Sequence, residues 1–137
     1  MRTFLLFSSG RTDSNFNMND LPSSGGRMDL VARTVISSLW TSGDMRRDTT
    51  LTVVLNGPPH PPVTITFDPS RLKRVSPDER SIALWIKKAL DKVSDEITEP
   101  YEGIFVSKYS FQQLVKDLAE TRPIYVLHER GVKFESI

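Results

Sequence analysis

Cysteine is absent from the 137-residue chain, which excludes disulfides and thiolate-ligated zinc. Histidine is nearly absent: His60 and His128 are the two present. They form no HxxxH pair on a helix, so no metal is expected. Nor do they favour a hydrolytic triad, because no Gly-x-Ser-x-Gly elbow occurs and His60 sits in a proline-rich turn. Long hydrophobic runs are missing as well, none approaching the roughly 18 apolar residues that span a bilayer. The opening "MRTFLLFSSG" holds an apolar core too short for a signal segment, followed by polar residues. A cytoplasmic chain without a membrane partner is therefore expected. Charge of one sign is not in excess either: 18 lysines and arginines face 17 acids, a net charge of +1. That excludes a histone-like polycation and makes the placement of charge the informative quantity.

A chain of this length with 38% hydrophobic residues can bury one core, so residues 1–137 are expected to form a single domain. Thr3 to Phe7 is a short apolar run that predicts a buried strand. Ser8 to Gly26 is a Ser/Asn/Asp/Gly-rich loop, long enough to carry function or be disordered. Met28, Val31, Val35 and Leu39 predict an amphipathic helix by their three- and four-residue spacing, broken by Gly43 and Asp44. Leu51–Leu55 and Val63–Phe67 read as strands flanking "NGPPHPP", a hairpin with an elaborated tip. Ile104–Val106 and Ile124–Leu127 predict two further strands. Phe111, Leu114, Val115 and Leu118 predict a helix between them, capped by Ser110. "SDEITEPYEG" is read as loop. Strands alternating with helices imply an α/β sheet with parallel pairing, in which the last strand looks central and lacks a covering helix. No internal repeat is evident.

The stretch "RVSPDERSIALWIKKAL" predicts a helix with a marked start. Ser76 is expected as N-cap, Pro77 at the first helical position and Glu79 as the second member of a Ser-x-x-Glu capping box. Asp78 and Arg80 are then left over. Arginines also gather at Arg27, Arg33, Arg46, Arg47, Arg71 and Arg74, in loops or at helix ends. They read either as solvated surface charges with local acid partners or as a surface that tracks a phosphate backbone. "SSGGR" lacks the spacing of a P-loop or dinucleotide fingerprint, but it leads into a helix N-terminus.

Four blocks, "NDLPSSGGRMDLVARTV", "DMRRDTTLTVVLNGPPHPPVTITF", "RLKRVSPDERSIALWIKKAL" and "IYVLHERG", together resemble the archaeal tRNA pseudouridine N1-methyltransferases of the TrmY family in the SPOUT superfamily. The resemblance implies a SPOUT-like, trefoil-knot α/β sheet with flanking helices, assembled as a homodimer. It implies S-adenosyl-L-methionine as cofactor and tRNA as partner, with methylation at N1 of pseudouridine 54 in the T loop and no metal. By position in these blocks, Arg27, Arg46, Arg47 and Arg74 become candidates for substrate contacts. Asp29, Asp78 and Arg80 become candidates for catalysis, and Leu127 and His128 for the cofactor. The glycine-bearing loop and Ser-Leu-Ser-Pro segment of the family's knot have no counterpart here, so the chain is expected to be shortened before the cofactor-binding portion. The alternative is a non-catalytic RNA-binding α/β module or a dimerisation domain.

Overall fold

The structure is a computed structural model that describes residues 2–41, 44–45, 48–72, 75–94, 96–109, 111–119 and 125–127. The elements in chain order are β1 (Arg2–Ser8), α1 (Leu21–Ser24), α2 (Met28–Leu39), β2 (Trp40–Thr41), β3 (Asp44–Met45), β4 (Thr49–Leu55) and β5 (Val63–Phe67). They continue with α3 (Glu79–Leu90), β6 (Thr98–Tyr101), β7 (Ile104–Ser107), α4 (Phe111–Ala119) and β8 (Tyr125–Leu127). Among the described residues six strands form one sheet in the order β6-β7-β5-β4-β1-β8, while β2 and β3 pair as a separate two-stranded ribbon. The α/β class is as the sequence predicts.

The pairing is mixed: the β4–β5 hairpin expected from the sequence is antiparallel, and among the described residues the expectation of parallel pairing holds for β1 with its two neighbours and fails beyond β4. β1 runs parallel to β4 and to β8, whereas β4–β5, β5–β7 and β6–β7 are antiparallel. Chain length between strands decides this. A parallel partner needs a crossover of a dozen residues or more, and the connection between β4 and β5 is only "NGPPHPP". The crossover from β1 to β4 contains α2 and is long enough. β8 lies at the sheet edge among the described residues, not at its centre. Its apolar run resembles a central strand because one-sided pairing leaves no mark on composition. β6 falls in the stretch read as loop; a tight turn at Glu102–Gly103 folds it onto β7.

One face of the sheet carries the main core. Leu6, Leu51, Val53, Leu55, Ile65 and Phe67 pack with Met28, Val31, Val35 and Leu39 of α2 and Ile82, Ile86 and Ala89 of α3. The three- and four-residue spacing of both helices is thus spent on one layer. By the pleat, Leu5, Thr52, Val54, Thr64 and Thr66 point to the other face, where the Thr52 and Thr66 hydroxyls bond at 2.8 Å.

The long loop after β1 is packed onto this core. Phe16 is buried within the cluster, its carbonyl accepts from Lys87 Nζ at 2.6 Å, and that ammonium lies 5.0 Å from the ring centroid. Ser14 Oγ donates to Asp91 Oδ1 at 2.5 Å. α1 closes the loop, capped by Asp20.

The start of α3 differs from the predicted capping box. Asp78 is the N-cap, and its carboxylate accepts from Ser81 N at 2.8 Å. Glu79 is the first helical residue and its side chain pairs with Arg33 on α2. Ser76 lies outside the helix, and its N–H donates to Ser81 Oγ at 3.2 Å. Two N-cap residues stood two positions apart, and a carboxylate in the field of the helix N-terminus is the stronger acceptor. Asp78→Ala is expected to cost about 1 kcal/mol, and Ser76→Ala less than about 0.5 kcal/mol. Urea midpoints of the two variants check the order. The sequence also extended α2 to Gly43, but it ends at Leu39, where Trp40 turns extended at ψ 140°. Ser110, the predicted cap of α4, lies outside the described residues.

Candidate functional site

The carboxyl ends of β1, β4 and β8 point the same way, and open α/β sheets bind ligands at that edge. Two glycines let the chain close there. Gly26 takes φ +65°, and a Cβ on it would stand 2.5 Å from the Ser9 carbonyl oxygen. Gly57 presses on the same oxygen from the β4 side, and a Cβ there would also meet the Gly10 oxygen at 2.6 Å. Asn56 N–H donates to Ser8 O and Gly57 N–H to Gly10 O, both at 2.9 Å. The segment after β1 is thereby held between the turn that enters α2 and the end of β4.

Arg27 follows directly, as the N-cap position of α2, in the left-handed region at φ 66°. A non-glycine residue there is uncommon and is held by its surroundings. The holding group is Asp29. Arg27 Nε reaches Asp29 Oδ1 at 3.1 Å and Nη2 reaches Oδ2 at 3.0 Å. The Asp29 side chain is 5% exposed and that of Arg27 49%, so the acid is buried beneath an arginine that still reaches solvent. Burial pushes the Asp29 carboxyl up, but the Arg27 fork and charge, the Leu30 N–H and Arg33 together leave it below the ordinary carboxylate range.

The network continues to α3. Arg33 stands 3.9 Å from Asp29 and pairs with Glu79. Arg80, next along, donates from Nη1 to Asn19 Oδ1 at 3.3 Å and makes no ion pair among the described residues. The structure therefore brings Arg27, Asp29, Arg33 and Arg80 into one run across α2 and α3. Asp78 stands at the same helix start, with its carboxylate engaged as the cap. Arg71 is not part of this run. It pairs bidentately with Glu99 at 2.8 and 2.9 Å, just beyond the opposite end of β5. Arg46, Arg47, Arg74 and His128 lie outside the described residues. Leu127 closes β8, in register with Leu6, which places its backbone at the carboxyl edge.

Sequence reasoning missed Arg11. Its Nε and Nη2 grip Asp13 Oδ1 and Oδ2 at 2.9 and 3.2 Å, the same fork that Arg27 makes on Asp29. The signal was available: "GRTD" at 10–13 and "GRMD" at 26–29 share one pattern.

No described group of three or more His, Cys, Asp or Glu could hold a metal ion, and no described helix is long and apolar enough to cross a membrane. A family model described as "Putative SAM-dependent RNA methyltransferase" matches residues 1–137. The chain belongs to this family. Curated relatives named tRNA (pseudouridine(54)-N(1))-methyltransferase include one from Methanococcus maripaludis, 47% identical over 127 residues, covering 91% of this chain and 64% of the relative. One from Methanococcus aeolicus is 49% identical over 128 residues, 92% of this chain and 63% of the relative. One from Methanocaldococcus jannaschii is 43% identical over 134 residues, covering 92% and 65% respectively. The chain thus spans just under two thirds of the length of these family members.

S-adenosylmethionine, which the family description implies, needs walls around a flat adenine and a charged methionine end. Among the described residues the glycines at the carboxyl edge abut chain atoms instead of an open cradle, and Leu127 contributes a strand end. The described residues do not by themselves fit that ligand.

Proposed function

We propose that this chain carries the RNA-facing part of an S-adenosyl-L-methionine-dependent tRNA methyltransferase that modifies N1 of pseudouridine 54 in the T loop. The observation that carries the reading is the match of the entire chain to an RNA methyltransferase family. The names of relatives identical at 43–49% of positions support the finer substrate. The chemistry is consistent. Pseudouridine is joined to its sugar through carbon, so N1 keeps a proton that uridine lacks. A sulfonium methyl is already activated when bound, and the protein's work is alignment and stabilisation of charge on the base.

The geometry supports a set of residue roles within this reading. Arg80, exposed and bonded only to a neutral amide among the described residues, is the guanidinium best placed for an RNA phosphate. Arg27 is the second, with the outer part of its side chain in solvent. Asp29 is a positioning residue, because a buried carboxylate with both oxygens on one guanidinium and a lowered proton affinity makes a poor base. Asp78 serves the helix cap. Arg46, Arg47 and Arg74 remain candidate substrate contacts, and Leu127 and His128 candidate cofactor contacts. Residues 1–137 are read as one domain of a homodimeric, cytoplasmic enzyme.

The test is transfer of labelled methyl from S-adenosylmethionine to T-loop RNA hairpins that carry pseudouridine or uridine at the target position, using the full-length protein. Label is expected only with pseudouridine. RNA binding without transfer to either hairpin would replace the enzyme with a binding module.

A further inference from the structure

The proline-flanked tip between β4 and β5 has no part in the site described so far, yet it is tied to it. The register sets Ser8, Leu55 and Val63 side by side, and Thr64 beside Ser107. The segments that leave these strands therefore share one edge, about 14 Å long across four strands. Arg11 lies there after β1, His60 between β4 and β5, and Lys108 after β7. Thr12 ties the first two together. It is buried, its N–H donates to Pro58 O at 3.1 Å, its hydroxyl donates to Gly57 O at 3.0 Å, and its Oγ1 accepts from His60 N–H at 2.7 Å. Lys108 Nζ donates to His60 O at 3.4 Å.

The side chains are disposed for an anion with a flat partner. Pro58, Pro59, Pro61 and Pro62 fix the backbone on both sides of His60, since each proline locks its own φ. An exposed imidazole is thereby displayed with little entropy left to lose. Lys108 is exposed and makes no ion pair among the described residues. Arg11 repeats the fork of Arg27, and its segment is bonded to the turn that precedes Arg27: Arg11 N–H donates to Gly25 O at 3.1 Å and Ser9 Oγ to Gly26 O at 3.2 Å. Each fork spends Nε and Nη2 on its aspartate, so the guanidinium is oriented by a carboxylate. His60 also lies close enough to Asp13 to help lower that carboxyl, after the larger effect of the Arg11 fork.

We propose that Arg11, His60 and Lys108 form a second RNA contact beside Arg27, with Arg11 and Lys108 on backbone phosphates and the His60 ring stacked on an unpaired base. This deepens the RNA methyltransferase reading and rests on it. Binding of a T-loop RNA hairpin by the full-length protein is measured against salt concentration. Each lost phosphate contact lowers the slope of log affinity against log salt by about 0.7 for single-stranded RNA. Lys108→Gln and Arg11→Gln are each expected to show that loss, and the double variant about 1.4. His60→Ala is expected to weaken binding about fivefold or more at fixed salt. Arg71→Gln, beyond the opposite end of β5, is expected to keep the wild-type slope. Lys108 is exposed and reaches the fold through an exposed 3.4 Å bond to His60 O, so its variant reads the contact without unfolding. An unchanged slope in Lys108→Gln and Arg11→Gln, or an equal loss in Arg71→Gln, overturns the contact while a wild type that methylates RNA leaves the enzyme reading standing. A wild type without affinity for the hairpin overturns both.

Discussion

Gly57→Ala is expected to lose at least about 3 kcal/mol of stability, the upper range for steric overpacking. It should lower the midpoint of thermal unfolding by on the order of 10 °C. The atoms a methyl would strike are the backbone oxygens of Ser9 and Gly10, and no side-chain rotation relieves a clash with backbone. Retreat would break the Gly57 N–H to Gly10 O bond of 2.9 Å and pull Thr12 from Gly57 O. The Ser9 oxygen is pressed from its other side by Gly26, so the segment has nowhere to move. Gly26→Ala adds the strain of a left-handed residue, about 1 kcal/mol, to a Cβ 2.5 Å from the same oxygen. The double variant should lose less than the sum of the singles, because either substitution already displaces Ser9. Strict additivity in calorimetry would show that the two glycines do not crowd a shared atom.

Much of this fold is legible in the sequence because one layer of core specifies it. Met28, Val31, Val35 and Leu39, and likewise Ile82, Ile86 and Ala89, repeat at helical spacing, and each set is buried as one stripe. Pairing direction was legible only where connection length forces it, as at "NGPPHPP". β6 escaped because "TEPY" is half-buried at every position and so shows no alternation to read. The cap of α3 was misplaced since Ser76 and Asp78 are both competent acceptors, and only the geometry of the first turn chooses. The candidate site shows the same division. Arginine clustering pointed to Arg27, Arg33 and Arg80, but what separates Arg33 from Arg80 lies in partners remote in sequence. Glu79, 46 residues from Arg33, takes the arginine that a local reading would leave free. Asn19, 61 residues from Arg80, offers only an amide.

The Arg27–Asp29 pair makes an asymmetric prediction, because one member is buried and the other half-exposed. Arg27→Ala leaves a carboxylate beneath the surface with Leu30 N–H and an Arg33 at 3.9 Å, and is expected to cost about 3 kcal/mol, near the lower end for breaking a buried pair. Asp29→Asn leaves an arginine that water can hydrate and keeps the shape of the buried group, so about 1 kcal/mol is expected. Arg27→Gly should fall between them, since it loses the fork but relieves the left-handed backbone at φ 66°. The pH dependence follows from the lowered Asp29 carboxyl. The pair's contribution is fully present above the unfolded carboxylate value of about 3.9 and is lost as pH falls through the lower folded value. The stability gap between the wild type and Asp29→Asn should therefore hold from neutrality to about pH 5 and close below about pH 4. Taking the difference cancels Asp13 and Glu99, whose carboxyls are also lowered, each chiefly by a paired arginine. Urea titrations of the three variants across that range decide the matter. If Arg27→Ala proves no less stable than Asp29→Asn, the acid is not held under the arginine as described, and the proposed RNA contact of Arg27 loses its structural support.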